Sequence, residues 1–320
     1  MPVQVVPVVP VLQPDEAATN SLMHWSFEPG AVAGLLSLAV GYAFAATRFR
    51  TALLRLGGPP PRWLPPGAMS GERPGRLTSL QVLCFFSGVI VASLALLSPL
   101  HDLGERFLLS GHMAQHLLLI QVAAPLLLLG TPGWMLRPLL KRRPFASLAR
   151  MMLSPLPAFG LFNLVFVAWH VPAIYDLSLH LPLLHAVEHG LFFGLGLVSW
   201  WPVLGPVAEY PRLPYGGQVL YLFFQSLPPT ILGAIITLAE VPIYPTYWSA
   251  ERLYGIPGFG TLSPLADQQL GGLTMWIPGA LGYFLVVSIV WFQWLERRSP
   301  AESPPFGTLN PDRPRAISSR

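Results

Sequence analysis

Charge is scarce in this chain. Of its 320 residues only 11% are Asp, Glu, Lys or Arg, against roughly 25% in ordinary soluble domains. So little charge cannot cover the surface of a water-soluble domain of this length. Cysteine is nearly absent too. The single Cys84 excludes a disulfide framework and any CxxC redox or metal motif. The first twenty residues lack a basic n-region and are broken by prolines. They do not form a cleavable signal peptide, and the first apolar run is expected to act as the targeting signal. No internal repeat is evident. What the chain has in excess is hydrophobic residues, 52%, together with 29 Gly and 36 Pro. High Gly and Pro with low charge can mean disorder, but the long apolar runs exclude that.

Seven such runs cover about 29–46, 80–98, 107–129, 155–171, 184–204, 218–239 and 270–295. Each is near the roughly 20 residues needed to cross a bilayer. Backbone polar groups cannot stay unpaired in lipid, so the runs are predicted as helices. The fold class is therefore all-α, a polytopic membrane protein with a bundle of seven transmembrane helices. The division is an extracytoplasmic segment 1–28, a membrane domain 29–295, and a basic, Pro/Ser-rich tail 296–320 that reads as disordered and cytoplasmic. Apart from Arg106 and Arg252, all 19 Lys and Arg fall on alternate connections or on the tail. The positive-inside rule then places the N-terminus outside and the C-terminus in the cytoplasm. These basic residues read as an orientation signal and call for no nucleic acid.

With that topology all eight histidines lie on or near the outer side. Two pairs stand at i,i+4: His112/His116 in the third run and His185/His189 in the fifth. Four residues is one helical turn, so each pair shares a face. Paired imidazoles at this spacing are a standard way for a helix to present two metal ligands, and ionisable groups at membrane depth are a functional signal. His170, at the end of the fourth run, and Asp267, at the start of the seventh, complete the candidate metal ligands. Glu188 could orient the second pair, and Met113 and Met275 could add thioethers. Imidazole suits copper, zinc, iron and nickel, and added thioether favours cuprous copper.

Plainer readings compete. His24, His101 and His180 read as interfacial side chains or hydrogen-bond partners. His170 sits beside Trp169 in an aromatic-belt position. Asp267, just after Ser263-Pro264, could simply favour its own helix dipole. The many Trp and Tyr near span ends read as interface anchors.

Four segments, HMAQHLLLIQVAAPLLLLGTP (112–132), WHVPAIYD (169–176), LHAVEHGLFFGLGLVSWWPVLGP (184–206) and LSPLADQQLGGLTMWIPG (262–279), occur in this order. Together they resemble the CtaG family of cytochrome c oxidase assembly proteins, the polytopic bacterial type, over about 80–280. By motif the resemblance carries over to His112, His116, His170, His185, His189 and Asp267 with Gln268. It implies a multi-pass protein of the bacterial inner membrane that helps to mature a haem–copper oxidase. It also implies a non-enzymatic copper-binding metallochaperone role, with an oxidase subunit, the bilayer and an extracytoplasmic copper chaperone as partners, and copper(I) as the metal.

Three other readings stay open on the residues. His185-Ala-Val-Glu188-His189 matches H-x-x-E-H, the inverted zinc-hydrolase pattern. One histidine from each of two runs could hold haem in a b-type cytochrome. A transporter would need polar groups reaching the other side, where Gln121, Asn163 and Gln225 form only a thin path.

Overall fold

The computed structural model describes residues 25–47, 77–250 and 262–298. His24, Arg252, the basic connection 48–76 and the tail from 299 lie outside them. The described residues form helices α1 Pro29–Thr47, α2 Ser79–Leu97, α3 Pro99–Arg106, α4 Leu109–Gly130, α5 Gly133–Leu140 and α6 Arg143–Met152. They continue with α7 Pro155–Trp169, α8 Pro172–His180, α9 Pro182–Leu204, α10 Tyr215–Leu238, α11 Pro245–Trp248 and α12 Pro264–Arg298. There is no strand among them.

Proline explains much of this segmentation. Helices α1, α3, α7, α8, α9, α11 and α12 each begin with Pro, where its missing N–H costs nothing and its fixed φ suits a first turn. Ser98-Pro99 makes the corner between α2 and α3. Ser98 closes α2, and its hydroxyl accepts the Leu100 N–H at 3.3 Å to open α3. At the other end of α2, Thr78 and Gln81 form a reciprocal capping box.

Among the described residues six helices are long and apolar enough to span a bilayer: α1, α2, α4, α9, α10 and α12. The fourth predicted run appears as α7, only 15 residues long. It becomes a seventh span only when joined to α6, from which it bends by 80°. The surface agrees with a lipid setting. Large apolar side chains such as Leu80, Leu156, Leu164 and Phe292 point outward, while His112, Gln115, Glu188 and Asp267 are buried. That is the reverse of a soluble protein's arrangement.

Helix α4 is the central one. Its apolar window is 61% buried, against 11% for α1, and it touches α2, α9 and α12. Beside it α10 and α12 run together along most of their length. Gly233 and Gly272 permit that approach: a Cβ on either would come within 2.8 Å of the other's carbonyl oxygen.

Within α4 the turn Leu118–Ala123 is a π-helix. Pro125 accounts for it, since it offers no N–H to the turn before it and its ring crowds the carbonyl four residues back. The indole N–H of Trp200 donates to the Ile120 carbonyl at 2.8 Å, satisfying backbone in the widened turn. One extra residue in a turn rotates the upstream half by about 100° relative to the downstream half. The upstream half carries His112 and His116.

Candidate metal centre

The centre lies at one end of the bundle, where α4 and α9 begin and α7 ends. His112 and His116 come from the first two turns of α4, and His185, Glu188 and His189 from the first two turns of α9. All five are at most 7% exposed. The rings of His112 and His116 lie 4.2 Å apart and those of His185 and His189 4.3 Å. Across the helices, His116 and His189 are 5.2 Å apart, His112 and His185 5.6 Å. Spans three and five therefore meet, as a shared site requires.

The Glu188 carboxylate sits between the two helices. Its Oε1 is 3.4 Å from His112 Nε2 and 3.7 Å from His116 Nε2, and its Oε2 accepts a 2.7 Å hydrogen bond from Ser178. His185 and His189 bring their Nε2 atoms to 2.9 Å. A carboxylate 1% exposed pays several kcal/mol in lost hydration unless a cation or strong donors compensate. His112 Nδ1, both ring nitrogens of His116 and His189 Nδ1 have no hydrogen-bond partner among the described residues. One atom from each of His112, His185 and Glu188 falls within 4.8 Å of the others. Metal–nitrogen bonds of roughly 2.0–2.1 Å put tetrahedral ligand atoms about 3.3 Å apart. The donor set is thus close to metal-binding dimensions.

His170 stands to one side. Its Nδ1 donates to the Phe166 carbonyl at 2.7 Å, because a carbonyl can only accept. The lone pair therefore lies on Nε2, which is buried without a partner among the described residues. Across a small cavity of about 30 Å³, His170 faces His116, Met113 and Met275. Pro229 of α10 and Gly279 of α12, next to Pro278, also border it. Both thioethers expected from the sequence thus lie beside His170 and His116, away from His185.

Asp267 stands in the first turn of α12, where its plainer reading put it, and its carboxylate also reaches across to α4. Its Oδ2 accepts the Leu109 N–H at 2.7 Å, and its Oδ1 accepts the Ser110 N–H and hydroxyl at 3.3 and 2.5 Å. Leu108, at the N-cap of α4, offers no side-chain cap, so α12 supplies one from outside. Gln268 fastens the segment after α10: its Oε1 accepts from Ile243 N, and its Nε2 donates to the carbonyls of Ile236 and Val241. Asn163 and Gln225 hydrogen-bond each other at 3.2 Å. His180 is exposed, and its Nδ1 donates to the Asp176 carbonyl of its own helix.

Several members of the site escaped the sequence reading. His101 was expected to be interfacial, yet it is 5% exposed, with its ring stacked on His185 at 5.6 Å. Glu105, one turn on, reaches His101 at 3.5 Å and His185 at 3.4 Å. This is a third i,i+4 pair, hidden in a segment too short and polar to read as a span. Burial holds His101 below the usual histidine range. Burial would raise Glu105, but the hydrogen bond and charge of His185, with His101 and His112, outweigh it and keep the carboxyl below its usual range. Gln115, fully buried, places Nε2 at 3.0 Å from His101 Nδ1 and 3.4 Å from His189 Nε2. Tyr175, Tyr244 and Tyr247 are buried over the cluster, not anchored at an interface. Tyr247 donates to the Gly104 carbonyl, and Tyr244 donates to that of His170 at 3.1 Å. Burial pushes the Tyr247 phenol up, so it stays a neutral donor.

Comparison with curated proteins and with solved structures gave no match. The family model described as cytochrome c oxidase caa3 assembly factor (Caa3_CtaG) matches residues 67–297, more than half of the chain. A multi-span helical bundle and a match of that extent together place the chain: it belongs to the caa3-type cytochrome c oxidase assembly factors.

Proposed function

We propose that this protein binds copper as cargo at the cluster of His112, His116, His185, Glu188 and His189 and delivers it to a haem–copper cytochrome c oxidase. The observation that carries the reading is the convergence of four imidazoles and one carboxylate from two helices, all buried, with several ring nitrogens left unbonded. Such a set is costly in a lipid-facing bundle unless a cation completes it. The family match supplies the client. Met113, Met275 and the Nε2 of His170 form a softer neighbourhood beside His116, which favours copper(I).

In this reading the histidine end of the bundle faces the outside of a bacterial inner membrane, and the Arg- and Lys-bearing end faces the cytoplasm. Copper arrives from an extracytoplasmic chaperone and leaves to an oxidase subunit by ligand exchange. The role is non-catalytic. The H-x-x-E-H hydrolase reading fits less well, because Glu188 is held by Ser178 and by histidines of α4. Haem fits less well because it needs one axial ligand on each side, and four clustered imidazoles exceed that.

The test is the metal content of the purified protein after copper supplementation. About one copper at this cluster, lost in His116→Ala/His189→Ala with folding intact, supports the reading. Full oxidase activity at low copper in cells lacking the protein would refute it.

A further inference from the structure

A second group of ligating atoms stands above the buried cluster. His101 and Glu105 come from α3 and His185 from α9, and one atom from each lies within 4.8 Å of the others. The Nδ1 of His185 faces Glu105 Oε1 at 3.4 Å. His185 Nε2 faces the other way, toward His189. One imidazole thus joins the two groups.

The upper group opens on a cavity of about 510 Å³ between α1, α3 and α9. His101, Glu105, His185 and His189 line one wall, and Gly30, Gly34 and Leu35 of α1 the other. Glu28 is also on the wall, so two carboxylates border the space. Glu105 is 28% exposed, whereas every ligand of the lower cluster is buried. Glu105 is thus the most accessible carboxylate of the two groups.

Gln115 adds an independent sign. A metal on His101 Nε2 requires the ring proton on Nδ1. Gln115 then holds that proton through its amide oxygen, turned end for end from the present orientation. That oxygen is now buried with no partner among the described residues.

We propose that His101, Glu105 and His185 form an outer site for a divalent first-row cation, copper(II) or zinc(II), loaded from this cavity and linked to the buried cluster through His185. Two imidazoles and a carboxylate are borderline-to-hard donors that suit a divalent ion, unlike the thioethers near His116. An ion on His185 Nδ1 is one ring's width from the lower cluster, whose imidazoles and carboxylate also accept a divalent ion, so the outer site is its entry step with no change of oxidation state. Only that transfer rests on the copper-cargo reading; the outer site stands on its own atoms.

The experiment uses the full chain in nanodiscs, titrated with copper(II) and with zinc(II). Stoichiometry is read by elemental analysis and the copper(II) ligand set by electron paramagnetic resonance. The wild type should bind about two ions per chain, one showing nitrogen and oxygen ligation. Glu105→Gln and His101→Asn should each lose that ion and load the remaining one on the order of ten-fold more slowly. His112→Ala/His116→Ala should keep it. Thermal melting in the absence of metal shows whether each variant is folded. Unchanged stoichiometry, spectrum and loading rate in folded Glu105→Gln would overturn the outer site. A wild type that binds the outer ion alone, lost in Glu105→Gln and kept in His112→Ala/His116→Ala, would instead overturn the buried site.

Discussion

Glu188 is the residue on which the site turns. Its carboxylate lies within reach of His112, His116 and His185, and its charge is what makes a cation favourable there. Glu188→Gln keeps the shape and removes the charge. Copper affinity, measured by competition with a chelator, is expected to fall by roughly 10- to 100-fold; an unchanged affinity would remove Glu188 from the site. Asp267 behaves oppositely. It caps α4 from α12, so Asp267→Ala should cost about 1–2 kcal/mol in thermal stability. Copper stoichiometry should stay the same, which separates a cap from a ligand.

Among the elements, α3 matters beyond its eight residues. It carries His101 and Glu105, and it sits close to α4 only because residue 104 is glycine. A Cβ there would lie 2.7 Å from His112 N and 2.8 Å from its Cα. Neither backbone can yield without moving a histidine of the site. Gly104→Ala is therefore expected to lower stability by about 1–3 kcal/mol and to weaken metal binding at His101; a melting curve and a titration read the two effects. The wide turn in α4 is a second such element. Trp200→Phe leaves the Ile120 carbonyl unpaired in a buried position and should cost about 1–3 kcal/mol, read as a drop in melting temperature.

At the scale of the whole molecule, polarity is the main feature. The titratable cluster is at one end, and Arg137, Lys141 and Glu209 form an ion-paired network at the other. The direction proposed above, from the positive-inside rule, has the histidine end outward. With Cys84 replaced by Ser, a single cysteine at the exposed position 180 should react with an impermeant maleimide on intact cells. One at the exposed position 142 should react only after permeabilisation. The reverse pattern would invert the proposed direction of metal entry.

The sequence by itself determined that the chain is helical and membrane-spanning, because apolar runs of bilayer length leave the backbone no other option. It also determined which histidines share a helix face, because i,i+4 spacing is a local property that survives any arrangement of helices. Only the tertiary structure decided which helices meet. Packing is set by glycine approaches, proline bends and the wide turn of α4, and these act over distances that no local pattern encodes. That is why the cap that Asp267 gives to α4, 158 residues away in the chain, could not be read from the sequence. It is also why His101, set aside as interfacial, ends stacked on His185.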